Sequence, residues 1–250
     1  MNKWKIVLIA SLTAFCIGLA GLGLYLLPPL FSGEEKPVVS EPVVSEPEKN
    51  EPVLPDNPID FVALQAGNPD IYAWIKIPGT SVDYAVLRSN DKPEDYYLNH
   101  DTTGKYKFAG SIYSQMLNSA DFSDPNTILY GHNMNNGSMF ASLHKFRNAD
   151  FFEKNKYIYI YTPGHILTYT VYSAYRYDNR HILYAFDFSD RQVFSDYLEM
   201  TKNPKSTIVN VRRDVEVTAD DRIITLSTCI TNDNYRYLVQ GVLTDDQPTK

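Results

Sequence analysis

The sequence predicts a mainly β domain with short peripheral helices, preceded by one N-terminal transmembrane helix and a Pro/Glu-rich linker. Three observations lead to this prediction. From residue 59 onward, short runs rich in Val, Ile, Thr and Tyr are separated by Pro, Gly, Asn and Asp, a pattern typical of β-strands. Helical spacing of apolar residues occurs in only a few short segments, which does not indicate alternating βαβ units. Before residue 59, an uncharged apolar run is followed by a proline-rich segment, and neither predicts a packed core.

The N-terminal apolar run, residues 6–27, carries no charge and is long enough to cross a bilayer core, which needs about 20 residues. A cleaved signal peptide is the alternative, but its apolar region usually has only about 7–15 residues and ends in a small-residue site. Lysines before the run and acidic residues after it place the N-terminus in the cytoplasm. We predict that residues 1–31 form a cytoplasmic tip and single-pass membrane anchor, with the remainder of the chain outside the cell. Cys16 is interpreted as a lipid-facing residue of this span.

Residues 32–58 are predicted to be an extended linker. The motif Pro-Val-Val-Ser-Glu begins at Pro37 and again at Pro42, and acidic residues outnumber lysines between residues 34 and 58. Closely spaced prolines favour polyproline-like conformations, and like charges repel and extend the chain. At ~3.1 Å per residue the linker would reach roughly 80 Å from the membrane.

The predicted globular domain is residues 59–250, with about eight strands. Pro78-Gly79 and Pro163-Gly164 supply turns, the second of which predicts a hairpin. Helical spacing predicts short helices at 59–65, 138–146 and 189–201, the last capped by Ser189-Asp190. The strands are drawn from the runs 73–77, 82–87, 111–113, 127–130, 156–161, 166–177, 207–211, 222–228 and 235–243. Alternation in 166–177 places Tyr169, Val171, Ser173 and Tyr175 on one face, where we expect tyrosines to pack in the sheet.

Two strand ends bring a thiol and a guanidinium together. The run Thr225-Leu226-Ser227-Thr228-Cys229 ends on the only cysteine outside the N-terminal apolar segment, and Arg236 lies early in the next run. A lone cysteine is usually a small buried hydrophobe, and a lone strand arginine is usually structural. Because a short polar turn joins these two runs, however, we expect Cys229 and Arg236 to be neighbours at one rim.

A histidine at a third strand end strengthens the interpretation of this rim as a catalytic site. The run Thr127-Ile128-Leu129-Tyr130 passes directly into Gly131-His132-Asn133. A thiolate needs a nearby cation to be populated near neutral pH, and both His132 and Arg236 could supply one. The sequence therefore predicts His132, Cys229 and Arg236 as catalytic residues.

The residues at these strand ends resemble the signature of the sortases, the cysteine transpeptidases of Gram-positive cell surfaces. The resemblance runs from about residue 59 to 243 and its details are those of class B, including the helix at 189–201, which class A members lack. No Asp-Pro-aromatic lid of the class C type is found. The matching motifs are Trp74-Ile75-Lys76-Ile77-Pro78-Gly79-Thr80, Tyr96-Tyr97-Leu98, Gly110-Ser111-Ile112-Tyr113, Tyr130-Gly131-His132-Asn133-Met134, Gly137-Ser138-Met139-Phe140 and Leu226-Ser227-Thr228-Cys229.

The resemblance implies an eight-stranded sortase-type β-barrel and a thioester mechanism. Cys229 would cleave a C-terminal sorting signal after Thr, Arg236 would stabilise the oxyanion, and His132 would transfer protons. The acceptor would be an amine from peptidoglycan or from a pilin lysine, so both wall anchoring and pilus assembly stay open. We expect the loop before residue 207 and the helix around residues 193–198 to line the substrate groove.

The sequence favours no cofactor and no nucleic-acid partner. None of the five histidines forms a His-x-x-x-His pair, and no Cys-x-x-Cys motif or glycine-rich phosphate loop occurs. Acidic residues exceed basic ones from residue 59 onward. The four histidines other than His132 lack a chemical context, and we expect substitution of His144 or His165 to be nearly silent.

Two other classes of protein remain open at this point. A cysteine endopeptidase would use the same thiol and imidazole and release its acyl-enzyme to water. A non-catalytic surface protein on a stalk would account for the anchor and linker but leave the strand-end residues unexplained.

Overall fold

The computed structural model describes residues 54–229 and 234–250. These residues belong to one compact unit, Pro52–Lys250. The predicted anchor and most of the predicted linker lie outside the described residues, so the boundaries of those segments stay predictions. Within the described part of the chain, no helix is both long enough and apolar enough to cross a bilayer.

Eight strands close into a barrel. They pair in the order β5-β1-β2-β3-β4-β8-β9-β6, and β5 also pairs with β6. A ninth strand, β7, pairs with β6 outside the ring. The mainly β barrel is thereby confirmed. The strands are β1 (Ile71–Lys76), β2 (Asp83–Leu87), β3 (Ile112–Tyr113), β4 (Asn126–Tyr130), β5 (Tyr157–Thr162), β6 (His165–Asp178), β7 (Val209–Val211), β8 (Ile223–Cys229) and β9 (Tyr235–Pro248).

Short helices surround the barrel, as expected. Two of the predicted helices are found within two residues of their expected bounds. Asp190 caps the second of them, Arg191–Lys202, by accepting hydrogen bonds from the backbone N–H groups of Gln192 and Val193. The helix expected at 138–146 is a 3₁₀ helix that begins three residues later. The α-helices are α1 (Phe61–Gly67), α2 (Ala149–Lys154), α3 (Ile182–Ala185) and α4 (Arg191–Lys202), and the 3₁₀ helices are Tyr96–Leu98 and Ala141–Arg147.

Strand β6 changes which side chains face the barrel interior partway along its length. Its register against β9 shifts between Val171 and Ser173. Tyr169 and Val171 pack in the barrel core, whereas Tyr172 and Tyr175 pack in a second cluster beneath α4. The prediction that Tyr169 and Tyr175 share a face was therefore wrong, because a bulge adds one residue and reverses the alternation. Their role as packing residues is confirmed.

The strand directions bring three chain ends to one rim of the barrel. Strands β4 and β8 are parallel, with Tyr130 opposite Ser227, so both end at the same edge. Strand β9 is antiparallel to β8 and starts at that edge. The residues that follow β4, end β8 and begin β9 are therefore neighbours.

Candidate active site

The pairing of β8 with β9 places the predicted nucleophile beside the predicted oxyanion stabiliser. Cys229 and Arg236 are Cα partners in this antiparallel ladder. Directly opposed residues in such a pair have side chains on the same face of the sheet. The adjacency expected from the sequence is confirmed; the turn between the strands, residues 230–233, lies outside the described residues.

A cavity of ≈ 400 Å³ opens at this rim and contains all three predicted catalytic residues, His132, Cys229 and Arg236. Its walls come from the ends of β4, β6, β8 and β9 together with the chain after β6. The other lining residues are Leu98, Tyr113, Gln115, Tyr130, Gly131, Tyr177, Asn179, Arg180, His181, Ile182, Ser227, Thr228 and Leu238.

His132 is carried by a chain segment that leaves the barrel at Gly131. A Cβ at position 131 would lie 2.5 Å from Cδ1 of Ile112 and 2.8 Å from Cδ2 of Phe140, so only glycine fits between them. The backbone N–H of Phe140 then donates to the carbonyl of His132 at 2.9 Å. The imidazole stacks on the exposed ring of Phe108, with centroids 5.4 Å apart. Contacts on two sides thus hold His132 at the cavity.

Cys229 has a free, half-buried thiol. It lies close enough to Tyr113 to interact with it electrostatically. Burial raises the pKa of Tyr113. The neighbouring Asp95 and Cys229 raise this pKa further, whereas Arg236 lowers it. The guanidinium of Arg236 also donates from Nη1 to the carbonyl of Tyr235 at 3.2 Å. Tyr113, Cys229 and Arg236 therefore form one electrostatic environment on the cavity wall.

A second histidine, His144, contacts the cysteine from outside the cavity lining. Its Nε2 lies 3.1 Å from the backbone carbonyl oxygen of Cys229. Sequence reasoning gave His144 no chemical context, and the structure corrects this. The two residues are 85 positions apart, so no local pattern could have linked them.

A third histidine, His181, belongs to the cavity wall. Its Nε2 donates to Oε1 of Gln115 at 2.7 Å, while its Nδ1 accepts from the backbone N–H of Tyr184 at 3.3 Å. Both nitrogens therefore have roles that fit the neutral ring, and burial lowers the pKa of His181, with Glu94 opposing. The sequence offered no signal for this placement either.

The two remaining histidines lie apart from the cavity. His100 stacks on Tyr96, with ring centroids 3.8 Å apart, and His165 pairs through Nδ1 with Asp246 at 2.7 Å. Neither lines the cavity.

The predicted groove wall was wrong in one respect. The segment 179–182, between β6 and α3, lines the catalytic cavity, whereas residues 193–198 do not. The reason is packing: Phe194, Tyr197 and Leu198 of α4 are buried against the outer face of the barrel. The loop before residue 207 lines an adjoining cavity that shares Tyr177 and Arg180 with the catalytic one.

The β-barrel with a cysteine, a histidine and an arginine at one cavity is typical of a cysteine-dependent enzyme, and comparisons with known proteins identify its family. The Sortase domain family matches residues 75–244. Sortase B of Listeria monocytogenes is 38% identical over 185 residues, which cover 72% of each chain. The structure of Clostridium perfringens sortase B has a TM-score of 0.66 at 32% identity, covering 74% of this chain and all of that one. A Staphylococcus aureus sortase B–substrate complex also has a TM-score of 0.66, at 34% identity, covering 74% of this chain and 84% of that one.

The chain therefore belongs to the sortase family. Within that family it is a class B sortase, a cysteine transpeptidase.

Proposed function

We propose that the enzyme cleaves a C-terminal sorting signal after a threonine and transfers the new acyl group to a primary amine, with Cys229 as nucleophile. The observation that carries the proposal is the convergence of His132, Cys229 and Arg236 on one cavity at the barrel rim. The S. aureus sortase B–substrate complex, similar in fold to this chain, supports binding of a sortase substrate at a barrel of this type.

Acylation begins when the Cys229 thiolate attacks the carbonyl carbon of the scissile peptide bond. The carbonyl π electrons move to oxygen, and the permanent charge and planar donors of Arg236 stabilise the oxyanion. As the intermediate collapses, the C–N bond breaks and protonated His132 gives its proton to the leaving amine. The product is a thioester on Cys229, with the C-terminal fragment released.

Deacylation reverses these roles. The acceptor amine attacks the thioester carbonyl, neutral His132 removes its proton, and the C–S bond breaks to regenerate the thiolate. An amide or isopeptide bond replaces the peptide bond that was cleaved. We propose that the acceptor is an amine of a cell-wall peptide or the lysine of a pilin.

We also propose that residues 1–31 anchor the enzyme in the cell membrane and that residues 32–58 extend the catalytic domain away from it. The support is the uncharged run 6–27 and the acidic, proline-rich linker that follows. The N-terminus would be cytoplasmic and the domain extracellular.

The test uses the full-length chain in detergent and a peptide carrying an Asn-Pro-x-Thr signal, with Cys229→Ala as the control. Mass spectrometry of the product with a diaminopimelate-type amine, a glycine-type amine and a lysine-bearing pilin identifies the acceptor. We expect an amide of the Thr carboxyl with one of them. Release of free acid alone with all three amines would instead identify a cysteine endopeptidase, and turnover by Cys229→Ala would reject the nucleophile.

A further inference from the structure

The carbonyl of Cys229 lies just beyond the end of the strand that should pair with it. Ser227, two residues earlier on β8, accepts a hydrogen bond from the backbone N–H of Gly131 at 3.2 Å. Carbonyls of residues i and i+2 point to the same side of a strand, so the carbonyl of Cys229 faces the same edge. Strand β4 ends at Tyr130, and the chain turns away at Gly131. The next ladder position therefore has no backbone donor from β4.

The imidazole of His144 occupies this position. Its Nε2 lies 3.1 Å from the Cys229 carbonyl oxygen, within hydrogen-bonding distance. Because a carbonyl only accepts, Nε2 must carry the proton and donate it. The side chain thus replaces the backbone N–H that β4 would have supplied had it continued.

The ring is held firmly in this place. Its neighbours in the 3₁₀ helix, Leu143 and Phe146, are fully buried in the barrel core. The imidazole packs against Tyr237, with ring centroids 5.1 Å apart, and Arg147 covers the same tyrosine ring. The buried helix neighbours and the packed Tyr237 ring restrict movement of the donor relative to the acceptor.

His144 is also kept neutral. Its Nδ1 is buried without a hydrogen-bond partner among the described residues, so protonation there would bury an unpaired N–H. Burial, with the Arg147 guanidinium nearby, lowers the pKa of His144, and the hydrogen bond to Cys229 opposes this only partly. A neutral ring does not compete with His132 as a proton carrier.

We propose that His144 is a positioning residue that fixes the peptide of Cys229 and thereby the direction of its thiol. This proposal rests on the proposed role of Cys229 as nucleophile. The same segment, residues 131–147, then supplies two histidines with different roles. His132 transfers protons in the cavity, and His144 donates a hydrogen bond to the backbone carbonyl of Cys229 from outside the cavity lining. A small misplacement of a nucleophile lowers the rate of the chemical step without weakening substrate binding.

The experiment compares His144→Gln, whose amide nitrogen can reach the Nε2 position, with His144→Leu, which has no donor. His165→Leu is the matched control, because His165 lies outside the cavity. The full-length chain in detergent is assayed for kcat and KM with the signal peptide. In a second assay iodoacetamide alkylates Cys229, and mass spectrometry of the proteolytic peptide that contains Cys229 measures the rate. We expect His144→Leu to lower kcat about tenfold with KM within about twofold and to change the alkylation rate. His144→Gln should restore both kcat and the alkylation rate to within about twofold of wild type.

Two outcomes would overturn the proposal: a His144→Leu enzyme as fast as wild type, or a His144→Gln enzyme as slow as His144→Leu. If His144→Leu does not fold, NMR of the wild-type chain with ¹⁵N-labelled histidine decides, since the proposal requires the Nε2–H tautomer and an Nδ1–H tautomer would reject it. Alkylation and NMR need no substrate. Failure of every signal peptide therefore counts against the proposed function and leaves the test of His144 intact.

Discussion

Cys229 and Arg236, the proposed nucleophile and the proposed oxyanion stabiliser, are Cα partners at the last described rung of the β8–β9 ladder, so the backbone itself places them side by side. Hydrogen bonding along seven paired positions determines their separation. The register of a ladder cannot slip by one residue without turning every side chain to the other face. The pairing of these two residues is therefore tied to the register of the whole ladder.

Replacing Cys229 by Ala should abolish acyl transfer while leaving the domain folded. Alanine removes the thiol and little volume, so we expect turnover to fall by more than about a thousandfold. Peptide cleavage and thermal unfolding of the full-length chain measure the two effects. Retained turnover would show that another group attacks the carbonyl.

Replacing Arg236 by Lys keeps the charge but loses the planar set of donors. We expect kcat to fall about 10²-fold, because a point charge cannot reproduce the directed hydrogen bonds to the oxyanion. The melting temperature should stay within about 2 °C of wild type. A near-normal rate would assign Arg236 a structural role.

Replacing His132 by Ala should slow both acylation and aminolysis, by about 10²- to 10⁴-fold, since one imidazole transfers the proton in each half-reaction. Single-turnover acylation and thioester aminolysis measure the two halves separately. His165→Ala is the control and should be nearly silent. Equal damage from the two substitutions would contradict the assignment of His132.

Gln240 should be a major determinant of stability. Its buried amide nitrogen donates to the hydroxyls of Tyr197 and Thr225, both at 2.9 Å, and so joins α4, β8 and β9. Gln240→Leu leaves these buried groups without that partner and should destabilise the fold by about 2–3 kcal/mol. Denaturant unfolding measures the loss. The exposed Gln247 on the same strand is the control, and Gln247→Leu should change stability by less than about 0.5 kcal/mol.

Stability should fall as the pH drops below about 6.5, the usual pKa of histidine. Burial lowers the pKa of both His144 and His181 in the folded state, so the unfolded chain takes up protons first. The contribution of these two histidines to the free energy of unfolding is complete above their pKa in the unfolded chain. It is lost as the pH falls through their lower pKa values in the folded state. Thermal unfolding between pH 7.5 and 5 measures this. His181→Gln should flatten the profile, and an unchanged slope would show that His181 titrates normally.

Local patterns were sufficient for much of the fold and site. Apolar runs and turn residues predicted the strands, and Pro163-Gly164 predicted the β5–β6 hairpin, which pairs Thr162 with His165. Cys229 and Arg236 could be placed together because a single short turn joins their strands. His132 was found because it follows an apolar run directly.

Long-range contacts were not accessible in the same way. The bulge in β6 reversed the expected faces because alternation assumes an uninterrupted ladder. The cavity wall at Asn179 and His181 depends on where the chain goes after β6, and α4 is used for packing rather than for the groove. No periodicity in the sequence carries that information.

The sequence by itself determined the strands, the chemical groups at their ends and the family signature, because these depend on residues close together in the chain. The tertiary structure decided which groups share a cavity and that His144, not a strand, completes the hydrogen bonding of Cys229. The physical reason is that β4 ends one ladder position before it could donate a backbone N–H to the carbonyl of Cys229. Closure of the barrel brings His144, 85 positions away in the chain, to that carbonyl as the donor.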